Sequence, residues 1–405
     1  MIVLIIASML LFSACNNGEK LTNSEVPEDY VYVGRHGCIA EKDDSIYFVD
    51  LRSNYAYLEF INKKTGDIYP LCSRPECAHL EAAVNDYLSE ESCNSNIGLT
   101  DGSEGIFTIY ENYIYALGAD MNARSIIRVS LDGSKKEKIA DFASLFIDGT
   151  EGMSPVVNGL QVYKDNLFFQ ININTYEINS DGSVTAGSTT DVYKINLKGE
   201  QKLTKIFSRV SDPETETSSP TSLFFGKNDV YLTVSKFFEN EDNNQYLDDI
   251  YKLNDTYDGF DLIKSDIENY ADLDRDKNGY YYYSSDNKLM FASLDSDETE
   301  VIYTFDETFE IGFCQCAFYG DYLFLTTIET FEIYIYNLKE QKFIRKIEFK
   351  DEEQGNIASN LILRIENENI YISFFGAEII DGQEAVYAYA SIEDVINSKE
   401  TWRGI

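Results

Sequence analysis

The chain has 405 residues, of which 44% are hydrophobic, 14% aromatic and 25% charged, a globular composition long enough to bury a sizeable core. Acidic residues outnumber basic ones 70 to 33, a formal net charge of −37, and such a surface excludes nucleic acid as a partner because a phosphate backbone needs clustered Lys and Arg. It admits cationic ligands and divalent metal, and it also serves solubility at a cell surface.

Met1 to Phe12 is an apolar run, too short to span a bilayer comfortably but matched to the apolar region of a signal peptide. Small residues follow at Ser13 and Ala14, then Cys15, then the polar Asn16-Asn17-Gly18. Leu11-Phe12-Ser13-Ala14-Cys15 resembles a bacterial lipobox, with Phe12 where Leu is usual. That resemblance implies a lipoprotein signal peptide over residues 1–14, thioether lipidation of Cys15, and a flexible polar tether over 15–28. More than one acyl chain gives stable attachment, so the expected location is the outer face of the cell membrane. A plain secretory signal or a short uncleaved anchor is the alternative.

Residues 29–405 read as one all-β domain. Thirty Tyr and 25 Phe against five Met and one Trp favour strands, because flat rings pack well on a pleated surface. A polar turn pair followed at once by a short apolar strand recurs along the chain. The strands are Ile46-Tyr47-Phe48, Tyr113-Ile114-Tyr115, Leu167-Phe168-Phe169, Val230-Tyr231-Leu232, Tyr280-Tyr281-Tyr282, Tyr322-Leu323-Phe324 and Ile370-Tyr371-Ile372. In most units a second strand and a turn follow, as in Ile126 to Leu131 with Asp132-Gly133, and Val192 to Leu197 with Lys198-Gly199. Such pairs supply the positive φ that tight hairpins need.

Tyr47 to Tyr371 spans 324 positions over six intervals, about 54 each, against about 40–45 residues for a minimal propeller blade. Hairpin units of this size cannot each bury their apolar faces alone, and radial packing solves that. The expected fold is a single β-propeller of seven blades, with six or eight as alternatives. Asp29-Tyr30-Val31-Tyr32-Val33 is expected to add an N-terminal strand to the last blade and close the ring. A sandwich pair or open β array is the competing architecture. Over residues 40–400 the repeats resemble those of TolB-like and quinoprotein-like propellers.

Seven cysteines and two histidines are present, and Cys72, Cys77, His79 and Cys93 cluster in the longest gap between repeats. The gap, about residues 70–100, reads as an insertion after the first blade's hairpin. Three thiols and an imidazole complete a tetrahedral site of the kind zinc prefers. Two other readings stand beside it: a disulfide with one thiol left over, or reduced, packed thiols. The order Leu-Cys, Pro, Cys, His, Cys resembles uncharacterised propeller lipoproteins of anaerobic Gram-positive bacteria, with a longer stretch before Cys93. A metal held by all four residues is structural, since no coordination position stays open. Arg35-His36-Gly37-Cys38 and Cys314-Gln315-Cys316 are weaker clusters without a nameable third partner.

Asp274 to Gly279 matches the first half of a calcium loop, with Asp272, Asp274, Asp276 and Asn278 as candidate ligands. The twelfth position is Ser285, so the bidentate carboxylate is missing, and an ordinary turn before a strand fits as well. Glu239 to Asn244 with Asp248-Asp249 reads as an acidic, solvated hairpin loop. No Gly-x-Ser-x-Gly, HExxH or phosphate loop occurs. The first functional reading is therefore a membrane-anchored module binding an unknown glycan, peptide or protein ligand on a propeller face. The second is an extracellular glycan-active hydrolase or lyase on the same scaffold. A structural role in an envelope complex is the third.

Overall fold

The computed structural model describes most of residues 39–404. Residues 1–38 and the longer connecting segments, among them 80–86, 100–106, 142–155, 212–220, 239–244, 306–314 and 349–361, lie outside the described residues. Cys15, the tether and the expected closing strand at 29–33 fall there.

Each repeat folds as a four-stranded antiparallel meander. Blade 1 is β1 (Ile39–Lys42), β2 (Ser45–Arg52), β3 (Tyr55–Asn62) and β4 (Ile68–Pro70). An extra strand, β5 (Asn96–Leu99), precedes blade 2, which is β6 (Phe107–Tyr110), β7 (Tyr113–Ala119), β8 (Arg124–Ser130) and β9 (Lys136–Asp141). Blade 3 follows with β10 (Val156–Tyr163), β11 (Asn166–Ile178), β12 (Val184–Asn196) and β13 (Thr204–Val210). Blade 4 holds β14 (Thr221–Phe225), β15 (Val230–Phe238), β16 (Gln245–Leu253) and β17 (Phe260–Glu268). Blade 5 is β18 (Asp272–Arg275), β19 (Gly279–Ser284), β20 (Lys288–Ser293) and β21 (Thr299–Thr304). Blade 6 is β22 (Gln315–Tyr319), β23 (Tyr322–Thr326), β24 (Glu332–Asn337) and β25 (Lys342–Glu348). Blade 7 is β26 (Ile362–Glu366), β27 (Asn369–Ile380), β28 (Gln383–Ser391) and, after helix α1 (Ile392–Ile396), β29 (Arg403–Gly404).

The seven aromatic strands picked out by the repeat are the second strands of the seven blades, β2, β7, β11, β15, β19, β23 and β27. Their apolar runs are continuous because both sheet faces pack against a neighbouring blade. Phe168 and Phe169, adjacent in β11, are both fully buried and belong to different seams. The turns that precede these strands use left-handed residues, including Asp43, Glu111, Lys164, Asp165 and Gly320, as tight hairpins require.

First strands of successive blades lie against each other, as in β6 with β10, β10 with β14, β18 with β22 and β22 with β26. They therefore surround a common axis. The apolar core is divided among the seams. Tyr47 and Leu58 meet Ile114 and Ile127 between blades 1 and 2. Leu117 and Ile126 meet Val157 and Phe169 at the next seam, and Phe168 and Val192 meet Val230 and Leu232 at the one after. Phe224 and Ile250 meet Tyr280, Tyr283 and Phe305 meet Leu323 and Leu325, and Phe324 and Ile335 meet Ile370 and Ile372. The last seam returns to the start, where Tyr371 of blade 7 packs on Ile39, Ile46 and Phe48. The ring is closed with seven blades. Among the described residues, the fourth strand of blade 7 is the C-terminal β29, paired with β28 at Ala388 and Tyr389.

Candidate metal centre

The insertion begins at a division in blade 1. The outer edge of β3 is shared by two strands. β4 pairs with Glu59, Phe60 and Ile61, while β5 pairs with Tyr55, Ala56 and Tyr57. Between them, at Leu58, the chain leaves the sheet and comes back. Leu71 N donates to the Leu58 carbonyl at 2.9 Å, and Leu58 N donates to the Ser95 carbonyl at 2.7 Å. Residues 72–94 are thus an excursion whose two ends are held by one residue. Cys72 and Cys93 sit at this neck.

Blade 2 supplies the other wall. The carbonyl of Gly133, in the turn between β8 and β9, accepts from Ser73 N at 3.1 Å and from Asn94 Nδ2 at 2.9 Å. Gly133 has φ +67°, and a Cβ there would lie 2.7 Å from Cys72 N, so both backbone conformation and space demand glycine. Lys136 Nζ reaches over the neck to the carbonyls of Cys93 and Asn96, at 2.7 and 2.9 Å. Burial pushes its ammonium down to about 8, against the opposing pull of the Cys93 and Cys72 thiols. Arg74 closes the approach, donating from Nη1 to the Ser92 carbonyl at 2.7 Å while its Nε pairs with Glu76.

Inside this frame the donor atoms of Cys72, Cys77, His79 and Cys93 all lie within 4.8 Å of one another. A tight turn delivers the central two: Cys77 N bonds to the Arg74 carbonyl at 3.1 Å, and His79 takes a left-handed φ of 52°. Cys93 Sγ stands 3.5 Å from His79 Nδ1 and 3.1 Å from Ser95 Oγ. The three cysteines are free thiols. Zn–S bonds of about 2.3 Å on a tetrahedron set ligand atoms roughly 3.3–3.8 Å apart, so a slight contraction of the observed group admits the ion.

The Cys93 and Cys77 thiols differ in electrostatics. Burial raises the Cys93 thiol, but hydrogen bonds from His79 and Ser95 outweigh it and hold the group at about 6. Burial lifts Cys77 to about 11, reinforced by its Cys93 and Cys72 neighbours. Adjacent thiols resist ionising together unless a cation joins them, and a divalent ion deprotonates coordinating thiols outright. The group can hold a metal ion.

Of the residues framing this centre, Leu58, Gly133 and Lys136 carried no signal that the sequence reading used for it, beyond the Asp132-Gly133 turn. Tyr87 is another. Its ring lies under Gly118 of β7, and its hydroxyl is 2.7 Å from Ser125 Oγ of β8.

Two of the four calcium candidates lie on a described strand. Asp272 and Asp274 belong to the extended strand β18, facing Tyr282 and Tyr281 of β19 across a bulge. Asp276 and Asn278 lie outside the described residues. Asp248 and Asp249 are not a solvated loop. Both are buried in β16, and Asp249 pairs with Lys236 at 2.7 Å. His36, Cys38 and Cys314 lie outside the described residues, while Cys316 stands in β22 opposite Leu325.

No known family model matches this chain, and no curated protein matches it in sequence. Solved structures do match its fold. One is a puromycin-hydrolysing peptidase of Mycobacterium tuberculosis, 11% identical at a TM-score of 0.52, covering 88% of this chain and 52% of that one. Another is a prolyl endopeptidase, 12% identical at 0.53, covering 93% and 50%. The chain thus spans about half the length of each. The β-propeller domain of the trilobed protease of Pyrococcus furiosus is similar over 85% of this chain and 89% of that one, 13% identical, at 0.42. The fold is a seven-bladed β-propeller. At these identities the likeness extends to the fold alone.

Proposed function

We propose that the protein is a lipid-anchored propeller of the cell surface, a ligand-binding or protein-interaction module whose first blades are held by one structural zinc ion. Cys72, Cys77, His79 and Cys93 are the zinc ligands. Convergence of four soft or borderline donors is the observation that carries the metal reading. Four protein ligands fill a tetrahedron, so the ion has no open position for substrate or water, and its role is to fold and fix the insertion. The interaction role rests on the rigid ring, on the apolar run ending in Cys15, and on a sequence without catalytic motifs.

Cys15 carries the anchor in this reading, and residues 16–28 hold the ring off the membrane. Glycan, peptide and protein ligands all suit a propeller face. Three of the buried carboxylates already have cationic partners inside the blades: Glu41 with Lys63, Asp191 with Lys205 and Asp249 with Lys236. These pairings help hold strands together within the blades.

Elemental analysis of anaerobically purified protein tests the metal directly, with one zinc per chain expected. A detected disulfide together with substoichiometric zinc rejects it. Metabolic labelling with an alkyne fatty acid tests the anchor: the chain takes up label, and Cys15→Ala abolishes it and releases the protein from the membrane fraction. A glycan and peptide array probed with the chain from Asn16 onward then addresses the ligand.

A further inference from the structure

We propose that metal occupation welds blades 1 and 2 into a single mechanical unit, with Gly133 and Lys136 of blade 2 acting as positioning residues for the ligands. This rests on the metal reading above and adds to it what the ion does for the ring.

The neck ligands are pinned alternately to the two blades. Before Cys72, Leu71 bonds to Leu58 of blade 1; after it, Ser73 bonds to Gly133 of blade 2. At the other side of the neck, the Cys93 carbonyl accepts from Lys136 of blade 2, the Asn94 side chain bonds to Gly133, and the Ser95 carbonyl accepts from Leu58. Neither cysteine can move without disturbing hydrogen bonds to both blades.

Strand β5 then carries the connection into the sheets. It pairs antiparallel with β3 and, through Gly98 opposite Ala119, parallel with β7. Blades 1 and 2 are consequently one nine-stranded sheet, while the other blades are separate four-stranded sheets among the described residues. Elsewhere the seams are built from side-chain clusters. Here a backbone ladder crosses the seam.

That ladder is short. β5 has four residues, and so small a strand with a single parallel pair has little stability of its own. A metal that ties Cys72 to Cys93 fixes the point from which β5 departs. Ser95 immediately precedes β5, and its hydroxyl touches Cys93 Sγ. Tyr87, held against Gly118 and Ser125, docks the far part of the excursion in blade 2. Ligation at the neck and pairing of β5 are therefore coupled, and by linkage each strengthens the other.

Hydrogen-exchange mass spectrometry on the full chain tests this, zinc-loaded and chelator-stripped, with zinc measured on the same samples. Stripping is expected to speed exchange at least about tenfold at Asn96–Leu99 and in the Ser130–Lys136 hairpin, while β15 and β16 of blade 4 keep their rates. Zinc that binds and leaves without altering β5 overturns the weld and spares the metal reading. A chain that never holds zinc overturns both. Acceleration in blade 4 as well as β5 overturns the local joint. Lys136→Met is expected to weaken zinc binding about 10–100-fold, with partial recovery in Lys136→Arg. A folded Lys136→Met variant with unchanged zinc affinity removes Lys136 from the positioning role.

Discussion

The side-chain amide of Asn369, in the last blade, donates to the carboxylate of Glu41, in the first, across 2.7 Å. The hydroxyl of Tyr371 donates to the same carboxylate oxygen, and Lys63 pairs with the other at 2.9 Å. Glu41 is only 2% exposed, so the ends of the ring meet on a buried charge with three partners. Glu41→Ala leaves these donors unmatched and is expected to cost about 2–4 kcal/mol. Glu41→Gln, which keeps an acceptor, is expected to cost less. Thermal or urea denaturation of both variants checks this. A wild-type midpoint for Glu41→Ala means that Tyr371 packing on Ile46 and Phe48 closes the seam unaided.

Zinc uptake by the stripped protein is expected to release protons unevenly from its thiols. Cys93, held at about 6, has already ionised near neutral pH, whereas Cys77, raised to about 11, must surrender a proton to bind. Calorimetry in buffers of different ionisation enthalpy counts the protons released. The count should fall as the pH of measurement rises, because more of the thiols are ionised before zinc arrives. Zinc affinity falls as pH falls, because protons compete for the ligands. A proton count that does not change with pH contradicts binding through thiolates.

Much of the fold was legible because propeller blades repeat a local signal. A polar turn before Ile46-Tyr47-Phe48 or Leu167-Phe168-Phe169 marks the second strand of a blade whatever its loops contain. The clustering of Cys72, Cys77, His79 and Cys93 was legible because His79 is one of only two histidines and stands beside three cysteines. Its supports were not. Leu58 acts through its backbone, Gly133 through the absence of a side chain, and Lys136 through a docking set by blade packing. None of these leaves a pattern in the chain. Alternating acids read the same in a cation loop and in an extended strand, and of the calcium candidates Asp272 and Asp274 stand in the strand β18.

Asp132 ties the docking hairpin to pH. Its carboxylate accepts from Ser130 Oγ at 2.6 Å, then from Ser134 N at 3.0 Å and Ser134 Oγ at 2.7 Å, and these bonds hold it at about 2. A depressed carboxylate stabilises the fold fully above its ordinary value of 3.8 and loses that contribution as pH falls through about 2. NMR titration of Asp132 should give a midpoint near 2. Asp132→Ala should loosen the turn that presents Gly133 and weaken zinc binding a few-fold, less than the about 10–100-fold typical of partners that touch a metal ligand directly. An ordinary midpoint refutes the bonding pattern at this turn.

Lys236 supplies a contrasting test, because its charge is buried in blade 4, outside the Cys/His cluster of the first two blades. Nζ lies 2.7 Å from Asp249 Oδ1 and 2.6 Å from Asp266 Oδ1, with the lysine 10% and Asp249 13% exposed. Burial opposes the ammonium, yet the bonds to Asp249 and Asp266 prevail and raise its pKa. Lys236→Ala leaves Asp249 buried without its cation, at an expected cost of about 3 kcal/mol. Lys236→Met combined with Asp249→Leu removes both charges and is expected to recover most of that loss, since the desolvation cost of the pair disappears with its attraction. Urea denaturation of Lys236→Met, Asp249→Leu and the double variant forms a cycle whose coupling energy reads the pair directly. Additive single and double effects show that Asp249 does not depend on Lys236, and that β15 and β16 are held by Val234 and Ile250 instead.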